Sequence, residues 1–94
     1  MATSFDYLEY VLELLDGLDE ITYKKMMSEF LLYYKGKLFG GVYDNRFLVK
    51  KAPVLENYHL DEEIPYPGAK TMYLVNTEDH ILIKEIVEKL VKCL

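Results

Sequence analysis

Two histidines, two serines, one cysteine and a run of three acids are the side chains in this sequence that could carry a reaction. A structural zinc site needs three or four ligands at set spacings. Neither His59 nor His80 has a second histidine or cysteine at such a spacing, so both read as surface or packing residues. Ser4 sits where a helix cap is needed, and nothing around Ser28 resembles the strand-turn-helix of a nucleophile elbow. Cys93 is penultimate, at the end of a helical pattern, whereas an activated thiolate wants a helix N-terminus or a basic neighbour. Gly40-Gly41 lies inside a strand pattern and lacks the further glycines and lysine of a phosphate loop. It predicts a bulge or a close approach of a helix. Asp61-Glu62-Glu63 reads as a solvated loop, because paired acid-base chemistry needs carboxyls held in unlike surroundings. The expectation is a protein that is not an enzyme, with no catalytic residues, no metal and no cofactor.

Sixteen acidic against eleven basic side chains give a net charge of −5. That balance opposes non-specific binding to nucleic acid or an acidic membrane. One cysteine allows no internal disulfide, which points to a reducing cytoplasm. The N-terminus has no basic segment leading into an apolar core, and no apolar run reaches the roughly 18 residues of a membrane span. One domain, residues 1–94, is expected.

The elements follow from periodicity. Thr3 or Ser4 opens a helix whose stripe is Phe5, Leu8, Val11, Leu12 and Leu15, with Gly17 placed for a left-handed end. Thr22 to Met27 reads as extended. Ala52-Pro53 opens a short helix, and Asp61 to Gly68 reads as a loop. Thr71–Val75 adds a strand. Thr77 is expected to cap a last helix with Ile83, Ile86, Val87, Leu90, Val91 and Leu94 on its stripe, widened by Ile81 and Leu82. The predicted fold class is α+β in two layers: N-terminal helix, antiparallel meander with an added strand, short middle helix, long C-terminal helix.

The meander is the centre of that layout. Lys35-Gly36 and Asp44-Asn45 punctuate three apolar runs between Phe30 and Lys50, the signature of two successive two-residue hairpins. These loops would set Tyr34 opposite Lys37, Tyr33 opposite Leu38, Leu31 opposite Gly40, Val42 opposite Phe47 and Gly40 opposite Val49. Cross-strand partners share a face. One face then carries Leu31, Tyr33, Leu38, Gly40, Val42, Phe47 and Val49. The other carries Phe30, Leu32, Tyr34, Phe39, Gly41, Tyr43 and Leu48. Both are apolar, and a face not covered by helices would be free for a partner. Phe30, Leu32, Tyr34, Phe39, Tyr43 and Leu48 are therefore the expected interface, and the nine tyrosines suit one. Lys35, Lys37, Lys50 and Lys51 fall at one end of the sheet as a basic patch, with Arg46 at the other.

Several segments together resemble the N-terminal domain of the TfoX/Sxy family. They are Met1-Ala2-Thr3-Ser4 with Tyr7-Leu8, Tyr23-Lys24-Lys25-Met26-Met27-Ser28-Glu29, Leu32-Tyr33-Tyr34-Lys35-Gly36-Lys37-Leu38-Phe39-Gly40, and Pro65-Tyr66-Pro67-Gly68-Ala69-Lys70. Ser28-Glu29-Phe30 departs from the glycine pair and aromatic that relatives carry there. The resemblance covers essentially the whole chain and implies a stand-alone TfoX-like domain with the α+β fold. It also implies a link to regulation of competence or transcription, and no catalytic residues to carry over. The reading is a non-enzymatic regulatory or protein-interaction domain of the cytoplasm, with an unknown protein partner or a second copy of itself. The alternatives are a nucleic-acid-associated regulator using the lysine patch, and a small-molecule-binding domain with its pocket near Pro65-Tyr66-Pro67-Gly68.

Overall fold

The computed structural model describes residues 3–94, so Met1-Ala2 of the family-like opening lies outside the described residues. Helix α1 spans Phe5–Leu14. Strands β1 (Ile21–Met26), β2 (Glu29–Tyr34), β3 (Lys37–Val42) and β4 (Phe47–Val49) follow. A 3₁₀ helix covers Pro53–Tyr58. Strands β5 (Glu62–Glu63) and β6 (Met72–Leu74) precede helix α2, His80–Lys92. The strands form one antiparallel sheet in the order β1-β2-β3-β4-β6-β5. This is the expected α+β fold with one more strand.

Both hairpin turns form where the dipeptides predict them. Lys35 and Gly36 have φ of 52° and 80°, and Asp44 and Asn45 have 52° and 55°. Positive φ at both central residues matches the twist of the flanking strands. Tyr43 and Arg46 exchange both backbone hydrogen bonds, at 2.9 and 3.0 Å, closing the second turn. The second hairpin keeps the predicted register: Val42 faces Phe47 and Gly40 faces Val49.

The first hairpin slips by one residue past its turn. Tyr34 faces Lys37 and Tyr33 faces Leu38, but Leu32, not Leu31, faces Gly40, and Phe30 faces Val42. Phe39 is the extra residue of a bulge. Gly40 offers no side chain to the core, and Phe39 beside it is fully buried there. The close approach at the glycines comes from neighbouring strands, not from a helix. A Cβ on Gly40 would lie 2.3 Å from the Leu48 carbonyl oxygen, and one on Gly41 2.6 Å from that of Phe30.

The bulge redistributes the faces. Phe30, Leu32, Tyr34, Phe39, Val42, Phe47 and Val49 share one core with Leu8, Val11 and Leu15 from the α1 region and Ile83, Ile86, Val87 and Leu90 of α2. Both helices and the 3₁₀ residue Leu55 therefore cover the same face. Leu31, Tyr33, Leu38, Gly41, Tyr43 and Leu48 lie on the other.

Three local expectations are corrected. Gly17 does not take positive φ; α1 ends earlier, with Leu15 as its C-cap at φ −96°. Thr77 does not cap α2: Asp79 does, its carboxylate accepting the N–H groups of Ile81 and Leu82 at 3.0 and 3.1 Å. A carboxylate satisfies two orphan donors at once and faces the helix dipole, so the helix starts there. Thr77 instead accepts from the Asp79 N–H. Ile81 then points to solvent, 82% exposed. Finally, Asp61-Glu62-Glu63 is not wholly loop, since Glu62 and Glu63 pair with Tyr73 and Met72.

Gly40→Ala should cost about 3 kcal/mol in chemical denaturation, because the methyl meets the backbone of Leu48 and Val49. Gly17→Ala should be near neutral, its methyl meeting only the end of Lys84 at 3.7 Å. Equal effects at the two positions would contradict the packing around the bulge.

Candidate functional site

The expected interface does not form as one surface. Phe30, Leu32, Tyr34, Phe39, Tyr43 and Leu48 are each at most 8% exposed. The first four belong to the helix-covered core. The one-residue shift at Phe39 moved β2 relative to β3, so the predicted set mixes two faces. Tyr43 and Leu48 are on the open face but lie buried, with the Tyr66 ring 6.2 Å from that of Tyr43.

The four lysines of the expected basic patch share one end of the sheet but not one site. The Lys35 ammonium lies 5.3 Å from the ring of Tyr34. Lys37 donates to the Leu94 carbonyl oxygen at 3.3 Å. Lys51 is paired with Glu62 at 2.8 Å and donates to the Thr71 hydroxyl at 3.3 Å. Only Lys50 and Lys51 line a common groove, joined there by Lys70, which the sequence did not single out. The four lysines therefore do not form one continuous basic stripe.

The groups that could do chemistry are equally scattered. Nδ1 of His80 is 2.8 Å from an Asp16 carboxylate oxygen, both well exposed. Ser4 caps α1 through the Tyr7 N–H. Cys93 is exposed at the C-terminal end of α2. His59 ends the 3₁₀ helix with φ 54°. Among the described residues no three His, Cys, Asp or Glu side chains are grouped to hold a metal ion. No described helix is long and apolar enough to cross a membrane.

Two exposed features remain, and each is positioned by a polar tether. The first is the outer edge of β1, which pairs only with β2. Tyr23 and Met26 are about two-fifths exposed, Phe5 just over half and Met27 almost fully. Phe5 and Tyr23 both pack edge-on against Phe30, at 6.4 and 5.8 Å between ring centroids. Glu29 holds this corner. Its carboxylate accepts the N–H and hydroxyl of Thr3 and the N–H of Asp44. Thr3 in turn accepts from Asn45, whose side chain accepts the Ser4 N–H. The start of α1 is thereby fastened to the second hairpin turn. The role of Glu29 was not legible without the register.

The second feature is the groove on the helix-free face, walled by residues 64–70. Arg46 fixes that wall. It pairs with Glu63 at 2.6 Å and donates to the carbonyls of Tyr43, Ile64 and Pro65 at 3.1 to 3.2 Å.

The fold and surfaces together define a two-layer α+β domain with helices on one sheet face and an open edge. The chain matches no family model. It is 31% identical over 78 residues to the uncharacterized 12.7 kDa protein in trpE 5′ region of Spirochaeta aurantia, a match covering 81% of this chain and 68% of that protein. The chain belongs to the same family as that protein.

Arg46→Ala should lower stability by about 2 kcal/mol, since four acceptors lose a charged donor. Amide exchange should rise first at Glu63 to Tyr66; a uniform rise would mean Arg46 is not the anchor. Lys51 and Thr71 donate to Glu62 and hold its carboxyl below the ordinary range. A lowered folded value stabilises above the unfolded value and is lost as pH falls through the folded one. The small stability difference between wild type and Glu62→Gln should therefore be present at neutral pH and vanish in acid, in pH-dependent urea melts.

Proposed function

We propose that this chain is a non-enzymatic, TfoX-like interaction domain of the cytoplasm. It acts through protein contacts along the open edge of β1, and a second copy of itself is the first partner. The observation that carries this reading is the set of backbone groups β1 turns outward. Lys35 donates to the Glu20 carbonyl at 3.1 Å, so Glu20 and Lys35 form a hydrogen-bonded pair. Such pairs alternate along an antiparallel ladder. Thr22, Lys24 and Met26 therefore bond to β2, and Ile21, Tyr23 and Lys25 present their N–H and C=O groups to solvent.

Two copies related by a two-fold axis through Tyr23 would satisfy all of these groups. Tyr23 would face Tyr23, and Ile21 would face Lys25 of the other copy, giving about six new hydrogen bonds. The same register places Lys24 diagonal to Glu20 of the second copy, and Lys25 close to its Asp19-Glu20. Opposite charges across the seam favour this alignment. The exposed Phe5, Tyr23 and Met27 would lose water beside it. A regulatory role linked to competence or transcription is what the TfoX/Sxy resemblance adds, and pairing through an edge is compatible with it. The single cysteine, free and exposed, supports a reducing compartment.

Lys25→Pro separates this seam from the fold. The Lys25 N–H faces away from β2, so proline there leaves the β1–β2 ladder intact and blocks the edge. Sedimentation across micromolar to submillimolar concentrations should show a dimer for the wild type and a monomer for Lys25→Pro, with matching circular dichroism. A wild type that stays monomeric throughout, or a variant that still dimerises, overturns the reading.

A further inference from the structure

The groove on the helix-free face differs in charge from the rest of the molecule. Its volume is about 830 Å³, within the span of about 300–1,000 Å³ common for small-molecule sites. Lys50, Lys51 and Lys70 line it with Tyr43, Tyr66 and Met72, and no acidic side chain does. In a chain of net charge −5 this is a local reversal. The cavity beside α1, by contrast, is lined by Asp6, Glu9, Glu13 and Asp16.

The three cations are not equivalent. Lys51 is neutralised by Glu62. Lys50 and Lys70 have no ion-pair partner among the described residues. Two ammonium groups in one groove suit a dianion better than a single carboxylate, and lysine binds phosphate as a point charge. Tyr43 adds a donor. Burial pushes its phenol up from the ordinary value, with Tyr66 and Glu29 adding to the shift, so the hydroxyl keeps its proton. Tyr66 adds a platform: its ring leans over Tyr43 and is half exposed. Arg46 keeps that wall in place through the carbonyls of Ile64 and Pro65. An anchored aromatic face beside unpaired cations is a recognition pattern for a ring bearing a phosphate.

We infer that this groove binds a small phosphorylated aromatic compound of the nucleoside monophosphate type, its phosphate between Lys50 and Lys70 and its ring against Tyr66. The site lies on the opposite face of the sheet from α1 and does not depend on pairing through β1.

Titration of the 94-residue chain with AMP, adenosine and inorganic phosphate, followed by amide NMR, tests this. AMP should shift the amides of Lys50 and of residues 69–72 saturably, while adenosine and phosphate each bind about ten-fold more weakly for want of one half of the contacts. The double variant Lys50→Gln/Lys70→Gln should weaken AMP by at least about ten-fold through the loss of two charged contacts. Lys35→Gln/Lys37→Gln should leave it unchanged. Absence of saturable shifts, shifts confined to other surfaces, phosphate binding as tightly as AMP, or insensitivity to the Lys50/Lys70 change would each overturn the inference.

Discussion

The close approach of three strands at Gly40-Gly41 is the constraint from which the rest of this architecture follows. Neither glycine has space for a methyl group, because carbonyl oxygens of β2 and β4 lie where the Cβ atoms would be. Beside the glycines Phe39 is the extra residue of a bulge. The ring is fully buried and belongs to the core shared with α1 and α2. One extra residue in β3 thus decides which side of β2 faces the helices, and hence which surface is left for anything else.

Once the core occupies one face, the polar residues that matter are those holding uncovered segments in place. Glu29 and Thr3 fasten the entry of α1 to the Asp44-Asn45 turn. Arg46, next to that turn, reaches across the open face to the segment after β5. Both tethers thus converge on the second hairpin. The hairpin is short, and its turn residues tolerate positive φ, asparagine and aspartate being the commonest non-glycine residues there. A rigid turn of this kind transmits position to both the β1 corner and the groove, although the two lie at different places on the sheet.

Turns and periodic stripes were legible because they depend on local chemistry. The dipeptides Lys35-Gly36 and Asp44-Asn45 turn where their residue types allow positive φ. The α1 stripe at Leu8, Val11 and Leu15 is buried as its spacing implies. The bulge was not legible, since no local residue pattern marks Phe39 rather than a neighbour as the unpaired residue. The predicted interface mixes two faces because of the extra residue at Phe39, and its open-face members Tyr43 and Leu48 are buried as well. The start of α2 was misplaced by a smaller competition, in which Asp79 offers a carboxylate to two N–H groups and Thr77 only a hydroxyl. The groove drew on residues far apart in sequence, Lys50 from β4's end and Tyr66 and Lys70 from the segment before β6. The Pro65-Tyr66-Pro67-Gly68 stretch marked one wall; nothing local pointed to the other.

The two edges of the sheet differ in how they are protected. At the β5 end the edge strand is two residues long, and both are glutamates already engaged, Glu62 with Lys51 and Glu63 with Arg46. A short, acidic, internally paired edge is the usual way of preventing strand addition. The β1 end has six residues, no proline, and a burial pattern open to solvent beyond Ile21. Its protection is Lys24-Lys25, charged side chains of the kind that blunt an exposed edge. In the proposed two-fold self-pairing Lys24 would be diagonal to both Glu20 and Lys24 of the other copy, and Lys25 would lie close to its Asp19-Glu20. Under the proposed two-fold pairing the acidic Asp19-Glu20 beside the lysines would favour a closed dimer, which pairs each edge once and leaves none to polymerise.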